Sequence, residues 1–158
     1  MSKYPRTFHL PWSPGGTSDD KRLTEVTSLL GVDLVITEKM DGSNVCMERE
    51  ACFARSHGGS PTHPSFDAFK AMHAGIRYAI PVRIQIFGEW LWAKHSIAYT
   101  NLDGYFQVFG VRACWQDGSR FWKSLDDLLS FTAGLGLPTV PVLWGGKVST
   151  EVELRHLT

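Results

Sequence analysis

Lys39-Met40-Asp41-Gly42-Ser43-Asn44 sets a lysine, a carboxylate and a tight glycine turn between two runs that read as strands. The flanks, Asp33-Leu34-Val35-Ile36-Thr37 and Val45-Cys46-Met47, are β-branched and apolar, and Asp-Gly between them is a hairpin-turn signal. The lysine then stands at a strand end and faces a cleft. An amine attacks phosphorus only when neutral, so nucleotidyl transfer at this position requires burial or neighbouring cations, such as a bound metal, to favour the uncharged form. Asp41 and the turn backbone would place phosphate or metal. A K-x-D-G segment by itself also fits a hairpin turn with a solvated lysine, so the elements around it must decide.

Three further segments read as strands: Phe53-Ala54-Arg55-Ser56, the run from Ile84 to Leu91, and Tyr105-Phe106-Gln107-Val108-Phe109-Gly110-Val111. Glu89 ends the second of these beside Gly88, where a backbone without a side chain lets a ligand come close. Arg55 precedes Ser56-His57-Gly58-Gly59-Ser60, and its guanidinium suits paired hydrogen bonds to a phosphate. Each has a plainer alternative. Glu89 and Arg55 would otherwise make surface ion pairs, and Phe109 would be a core residue.

Taken in order, Lys39, Arg55, Glu89 and Phe109 resemble the covalent nucleotidyltransferases, the polynucleotide ligases and RNA capping enzymes. The wording of Glu38-Lys39-Met40-Asp41-Gly42-Ser43-Asn44, Ala54-Arg55-Ser56, Gly88-Glu89-Trp90-Leu91 and His95-Ser96-Ile97-Ala98-Tyr99 is most similar to the ATP-dependent RNA ligase family. The opening His9-Leu10-Pro11-Trp12-Ser13-Pro14-Gly15 fits its bacterial and phage-type branch. The resemblance runs from about residue 5 to about residue 145.

That resemblance implies that Lys39 carries AMP, that Glu89 contacts the ribose or the metal, with Asp41 as a second metal candidate, and that Phe109 stacks on adenine. Arg55 would hold substrate and nucleotide, Glu38 would meet the adenine amino group through its backbone carbonyl, and Gly42 and Asn44 would border the phosphates. Lys94 and His95, in the basic and aromatic stretch Trp92-Ala93-Lys94-His95-Ser96, would meet an RNA 5′-phosphate. ATP is the implied co-substrate, Mg²⁺ or Mn²⁺ the implied metal, RNA ends the implied partners, and RNA repair the implied setting. The family places an aspartate after its aromatic, where this chain has Gly110.

The elements predicted to position these residues form a mixed α+β domain, and the resemblance implies that it is an antiparallel-sheet, ATP-grasp-like nucleotidyltransferase domain of the ligase adenylation type spanning 1–158. Thr17-Ser18-Asp19-Asp20 reads as the N-cap of a short helix carrying Leu23, Val26, Leu29 and Leu30 and ended by Gly31. Strands at 33–39, 43–48 and 51–56 form a meander that holds the lysine. Ser65 to Arg77 is an amphipathic helix with Phe66, Phe69 and Met72 inward. Strands near 82–91 and 104–114 follow. A helix capped by Ser124 then buries Leu125, Leu128, Leu129 and Phe131, before a strand at 139–144 and a capping box at Thr150-Glu151-Val152-Glu153. His57, His63 and His73 show no metal-ligand spacing and read as surface or structural.

Sixteen basic and sixteen acidic side chains cancel in the 158 residues, so an RNA groove must be a local patch. Cys46, Cys52 and Cys114 are odd in number and lack C-x-x-C spacing, which argues against a disulfide framework and a zinc site and fits a reducing cytoplasm. No apolar run reaches membrane-span length.

One departure from the family stands out. The E-G-x-V and K-x-K strands that follow the aromatic motif have no counterpart before Thr158, as Lys147 lies in Gly145-Gly146-Lys147-Val148 and Glu151 and Glu153 lack a following glycine. The expectation is a C-terminally truncated catalytic domain, completed by a missing segment or a partner chain. A nucleotide- or RNA-end-binding protein without ligation is the main alternative, followed by a DNA ligase or a capping enzyme.

Overall fold

Ile84, Ile86 and Phe87 of 84–90 and Phe106, Val108, Phe109 and Val111 of 106–114 are strong strand formers, and these two segments become long strands largely buried on both faces. The computed structural model describes residues 4–14, 20–54 and 59–158. Their strands and α-helices are, in chain order, β1 (Leu34–Thr37), β2 (Ser43–Met47), β3 (Cys52–Ala54), α1 (Asp67–Ile76), β4 (Ile84–Trp90), β5 (Phe106–Cys114), β6 (Arg120–Trp122), α2 (Leu125–Gly134), β7 (Val142–Gly146) and α3 (Glu151–Leu157). They belong to two compact units, one of Lys39–Val140 and one that joins the residues up to Glu38 with Pro141–Thr158.

The first unit is built on a five-stranded antiparallel sheet in the order β3-β2-β4-β5-β6. Alternation divides its side chains between two faces. Val45, Met47, Ile86, Trp90, Phe106, Val108 and Val111 pack with Phe69 of α1 and Leu128 of α2 in the main core. Phe69 meets Trp90 and Phe106 at ring-centroid distances of 5.4 and 5.3 Å. Asn44, Cys46, Gln85, Phe87, Glu89, Gln107 and Arg112 turn the other way, as their register across β2, β4 and β5 requires. Arg112 is buried there without apolar isolation. Its Nε donates to Gln85 Oε1 at 2.8 Å, and its guanidinium lies over the rings of Phe87 and Trp122 at 4.9 and 5.0 Å.

A β-bulge interrupts the central pair. Phe87 faces Gly110 and Gly88 faces Val108, which leaves Phe109 as the extra residue of β5. A bulge re-aims side chains. Phe109 accordingly joins Met40, Leu91, Tyr99, Leu102 and Val140 in a separate apolar cluster rather than the main core.

The second unit pairs β1 with β7, antiparallel, around Val26, Val148 and Leu154. Thr150 caps α3 by accepting from the Glu153 amide at 3.2 Å, and Glu153 reaches back to the Thr150 amide, the predicted capping box.

Several sequence expectations change. The predicted meander of three strands does not form, because β1 pairs with β7 in a two-stranded sheet while β2 pairs with β3 and β4. Asp41-Gly42 is therefore a crossing between sheets and not a hairpin turn. The helix expected over the residues before Gly31 is reduced to a 3-10 turn at Thr27–Leu29. Backbone groups of Lys21 and Leu23 are already engaged by His9 in an extended pairing, which leaves no helical hydrogen bonds for that segment. Thr17, Ser18 and Asp19 of the expected N-cap lie outside the described residues.

Within α2 the Ser124 cap is present, but Leu129 is exposed and Thr132 is buried in its stead, its hydroxyl donating to the Leu128 carbonyl at 2.9 Å. The last strand begins at Val142, because Val108 of β5 exchanges hydrogen bonds with Pro138 and Val140 just before it. β6, an edge strand of exposed Arg120, Phe121 and Trp122, had no apolar alternation to announce it.

Candidate active site

Met40 is the apolar residue of K-x-D-G, and it is buried against Leu91 and Val140 with Phe109, Tyr99 and Leu102 alongside. That anchor leaves its neighbours Lys39 and Asp41 at the surface side of the segment, with Lys39 exposed. The segment is held through two backbone amides and one side chain. The Asp41 amide donates to the Tyr99 hydroxyl at 2.8 Å, and the Gly42 amide donates to Glu89 Oε1 at 3.2 Å. Asp41 Oδ2 accepts from the Ser96 amide at 2.9 Å and from the Ser96 hydroxyl.

Gly42 is required by space. A Cβ there would fall 2.6 Å from the Trp90 carbonyl oxygen and 2.7 Å from Leu91 Cδ2. Gly88 has the same reason, since its Cβ would lie 2.6 Å from the Gln107 carbonyl oxygen and would strike the Phe106 ring. Two glycines thus let K-x-D-G close onto the end of β4 and β4 close onto β5.

Glu89 is partly buried, and burial pushes its carboxyl above the ordinary range, an effect opposed by the Gly42 amide, the nearby Lys39 ammonium and His95. Lys39 and Glu89 therefore share one electrostatic environment although 50 positions separate them in the chain. Asp41 behaves oppositely. The Ser96 hydroxyl, then the Ser96 amide, hold its carboxyl below the usual aspartate value. Asn44 lies directly across from Glu89 on β2, on the same face of the sheet.

The structure brings Lys39, Asp41, Gly42, Asn44, Glu89, Phe109 and His95 to one end of the five-stranded sheet. His95 Nε2 sits 3.3 Å from Ser43 Oγ, and Lys94 is exposed on the same loop. Glu38 belongs to the other unit, where its amide donates to the Pro141 carbonyl at 2.9 Å. Arg55 lies outside the described residues, as does His57. His73 is structural, its Nε2 2.7 Å from the Glu48 carbonyl oxygen, and His63 accepts from the Ser65 amide beside α1.

Two residues that hold Asp41 escaped the motif reading. Ser96 and Tyr99 stand within His95-Ser96-Ile97-Ala98-Tyr99, yet nothing in their spacing announces that both bind Asp41.

No group of three or more His, Cys, Asp or Glu side chains that could hold a metal occurs among the described residues. Magnesium does not need one, because it is commonly bound through one or two carboxylates together with substrate phosphates. Glu89 Oε1 already accepts from the Gly42 amide and Asp41 Oδ2 from Ser96, so either carboxylate could hold a cation only alongside those bonds. Burial raises the thiols of Cys46 and Cys52 above the ordinary range, and all three cysteines are free. No helix of the described residues is long and apolar enough to cross a membrane.

The described residues combine a mixed α/β architecture and antiparallel sheets with a lysine-aspartate-glycine segment clasped to a partly buried glutamate. The RNA ligase family model matches residues 32–158, and the chain belongs to that family. A search of curated proteins found no match to the chain.

Proposed function

We propose that this chain is the nucleotidyltransferase domain of an ATP-dependent RNA ligase, with Lys39 as the residue that accepts AMP. The observation that carries the reading is the closure of K-x-D-G onto Glu89, in which the Gly42 amide binds the carboxylate and Lys39 lies within its field. Family membership supports it independently.

Neutral Lys39 Nζ attacks the α-phosphorus of ATP, a P–N bond forms, the bond to the bridging oxygen breaks, and pyrophosphate departs with that electron pair as the amine loses its proton. The AMP then passes to the 5′-phosphate of an RNA strand, restoring the lysine amine. Attack by an RNA 3′-hydroxyl on that activated phosphate seals the strand and releases AMP. Asn44 and Glu89 share the face on which the nucleoside would rest, and Phe109, turned to that side by its bulge, supplies the apolar wall for adenine. A divalent cation held through Glu89 and the phosphates would neutralise charge that grows on the phosphate oxygens. The exposed Lys94 and His95 supply positive charge for the RNA phosphate. Three free cysteines are consistent with a reducing cytoplasm.

The test is incubation with α-labelled ATP and Mg²⁺, then denaturing electrophoresis, with Lys39→Ala and labelled GTP as controls. An acid-labile label on wild type with ATP only is the expected result. Binding of ATP without a covalent label would favour a nucleotide-binding protein that has lost ligation, and a label from GTP would favour a capping enzyme.

A further inference from the structure

Trp92 and Tyr105 are two large aromatic side chains left about half exposed, at 51% and 48%, where β4 ends and β5 begins. Their rings meet edge to face with centroids 4.8 Å apart. Beneath them Trp90 is buried, and Trp92 lies parallel to it, 6.1 Å away with 6° between the planes. Trp90 is itself fixed by a 2.8 Å hydrogen bond from its Nε1 to the Ser65 carbonyl and by packing on Phe69. The backbone closes the arrangement, since the Leu91 amide donates to the Tyr105 carbonyl at 2.8 Å. One side of the Trp92 indole is therefore supported by the core, and much of the ring is offered to solvent in a set orientation.

The place of this pair matters. Trp90 stands across from Ser43, and Ser43 Oγ is 3.3 Å from His95 Nε2, so the aromatic pair and His95 flank the same strand end. Asn44 and Glu89 project to the opposite face of the sheet. Lys94 follows Trp92 by two positions, a Cα separation of at most about 7 Å. Residues 91–99 carry Lys94 and His95 and no acidic side chain; Asp41, whose carboxylate reaches the loop, is engaged by Ser96, and Glu89 also lies within the field of His95. A flat apolar surface next to exposed cations is complementary to a nucleotide whose base stacks while its phosphate meets the charge.

We infer that Trp92, framed by Tyr105, is the stacking platform for a terminal base of the RNA strand whose 5′-phosphate meets Lys94 and His95. The inference rests on the RNA ligase reading and adds the side of entry. The adenosine of ATP occupies the Asn44 and Glu89 face, and the RNA strand arrives from the Trp92 face. Stacking tolerates every base, so the platform confers affinity for the strand end with little sequence preference.

The experiment compares two short 5′-phosphorylated RNA oligonucleotides, one intact and one with an abasic ribose as its first nucleoside, by fluorescence anisotropy against wild type, Trp92→Ala, Trp92→Leu and Trp92→Phe. Circular dichroism melts confirm that each variant is folded, and Trp92→Leu, which keeps apolar bulk without a π face, stands in if the alanine variant does not fold. Removing the indole is expected to weaken binding of intact RNA roughly tenfold, within the range of single base–aromatic stacks. The abasic oligonucleotide should lose the same factor on wild type and nothing further on Trp92→Ala or Trp92→Leu, and Trp92→Phe should recover most of the affinity. Equal affinity of intact RNA for wild type and the folded variants, or an abasic loss that persists undiminished in them, overturns the platform. A wild type that forms lysyl-AMP yet shows that pattern leaves the ligase reading standing, whereas one that neither labels with ATP nor binds the phosphorylated RNA overturns both.

Discussion

The Asp41 carboxylate accepts both the amide of Ser96, at 2.9 Å, and the Ser96 hydroxyl, so the acidic residue of K-x-D-G anchors the loop that carries Lys94 and His95. The Tyr99 hydroxyl completes the clasp by accepting from the Asp41 amide. The side chain of Asp41 thus ties the lysine segment to that loop. Charge-assisted bonds of this kind are the stronger class of hydrogen bond.

Loosening that clasp should free the loop before it affects the sheet. In Ser96→Ala and Asp41→Ala, amide hydrogen exchange across 92–99 is expected to quicken while exchange in β4 and β5 stays as in wild type. Asp41→Asn, which retains an acceptor oxygen, should fall between. The sign of the pH dependence follows from the lowered carboxyl of Asp41. Its contribution is full above the ordinary aspartate value of 3.8 and disappears as pH falls from there through the folded value. Loop protection should therefore be level from neutrality down to about pH 5 and decline below about pH 4. Unchanged exchange in Ser96→Ala would show that the clasp does not hold the loop.

Glu89 should show the reverse linkage. Its carboxyl is raised by burial, so the folded state binds the proton more readily than the unfolded chain, and stability falls as pH rises through the interval between the ordinary value of 4.5 and the raised one. Glu89→Gln keeps an oxygen for the Gly42 amide and removes the charge. Its melting temperature is expected to match or exceed that of wild type at pH 7, with the difference closing near pH 4. Under the proposed mechanism, lysyl-AMP formation should drop by about 100-fold, the order found when one preorganised electrostatic group is lost. A variant less stable than wild type at pH 7 would contradict the assignment of burial as the dominant influence.

The two close-packed glycines give a steric prediction. Gly42→Ala places a methyl group 2.6 Å from the Trp90 carbonyl oxygen, and Gly88→Ala places one 2.6 Å from the Gln107 carbonyl oxygen. Neither backbone oxygen can swing aside as a side chain would. Overpacking of this type costs about 1–3 kcal/mol, and for a chain of this size that lowers the melting temperature by roughly 3–10 °C. Gly118→Ala supplies the contrast, because nothing lies within 4 Å of its Cβ and the strain comes from its φ of +85° alone. Thermal melts of the three variants distinguish crowding from backbone strain, and Gly42→Ala alone should also depress covalent labelling by ATP.

Much of the site was legible because its residues are consecutive or end a strongly patterned strand. Lys39, Asp41 and Gly42 are neighbours in the chain, Glu89 closes a run of β-formers, and the caps at Ser124 and Thr150 depend only on side chains three positions apart. Periodicity also located α1, β4 and β5 to within a few residues. It could not name the partner of β1. Alternating apolar residues state that a strand has a buried side, and they are silent on which other strand covers its edge. Residues 20–23 illustrate the same limit, since their pairing with His9 overrides a helical pattern of leucines.

The sequence by itself placed a lysine beside a carboxylate and a glycine, along with most of the local elements that bear them. Only the tertiary structure decided that Gly42 meets Glu89, that Asp41 holds Ser96, that a bulge turns Phe109 out of the main core, and that Trp92 rests on Trp90 with much of its ring exposed. The physical reason is range. Propensity, capping and charge act within a few residues, whereas strand pairing and packing join groups tens of positions apart, and their outcome depends on the whole set of competing surfaces in the chain.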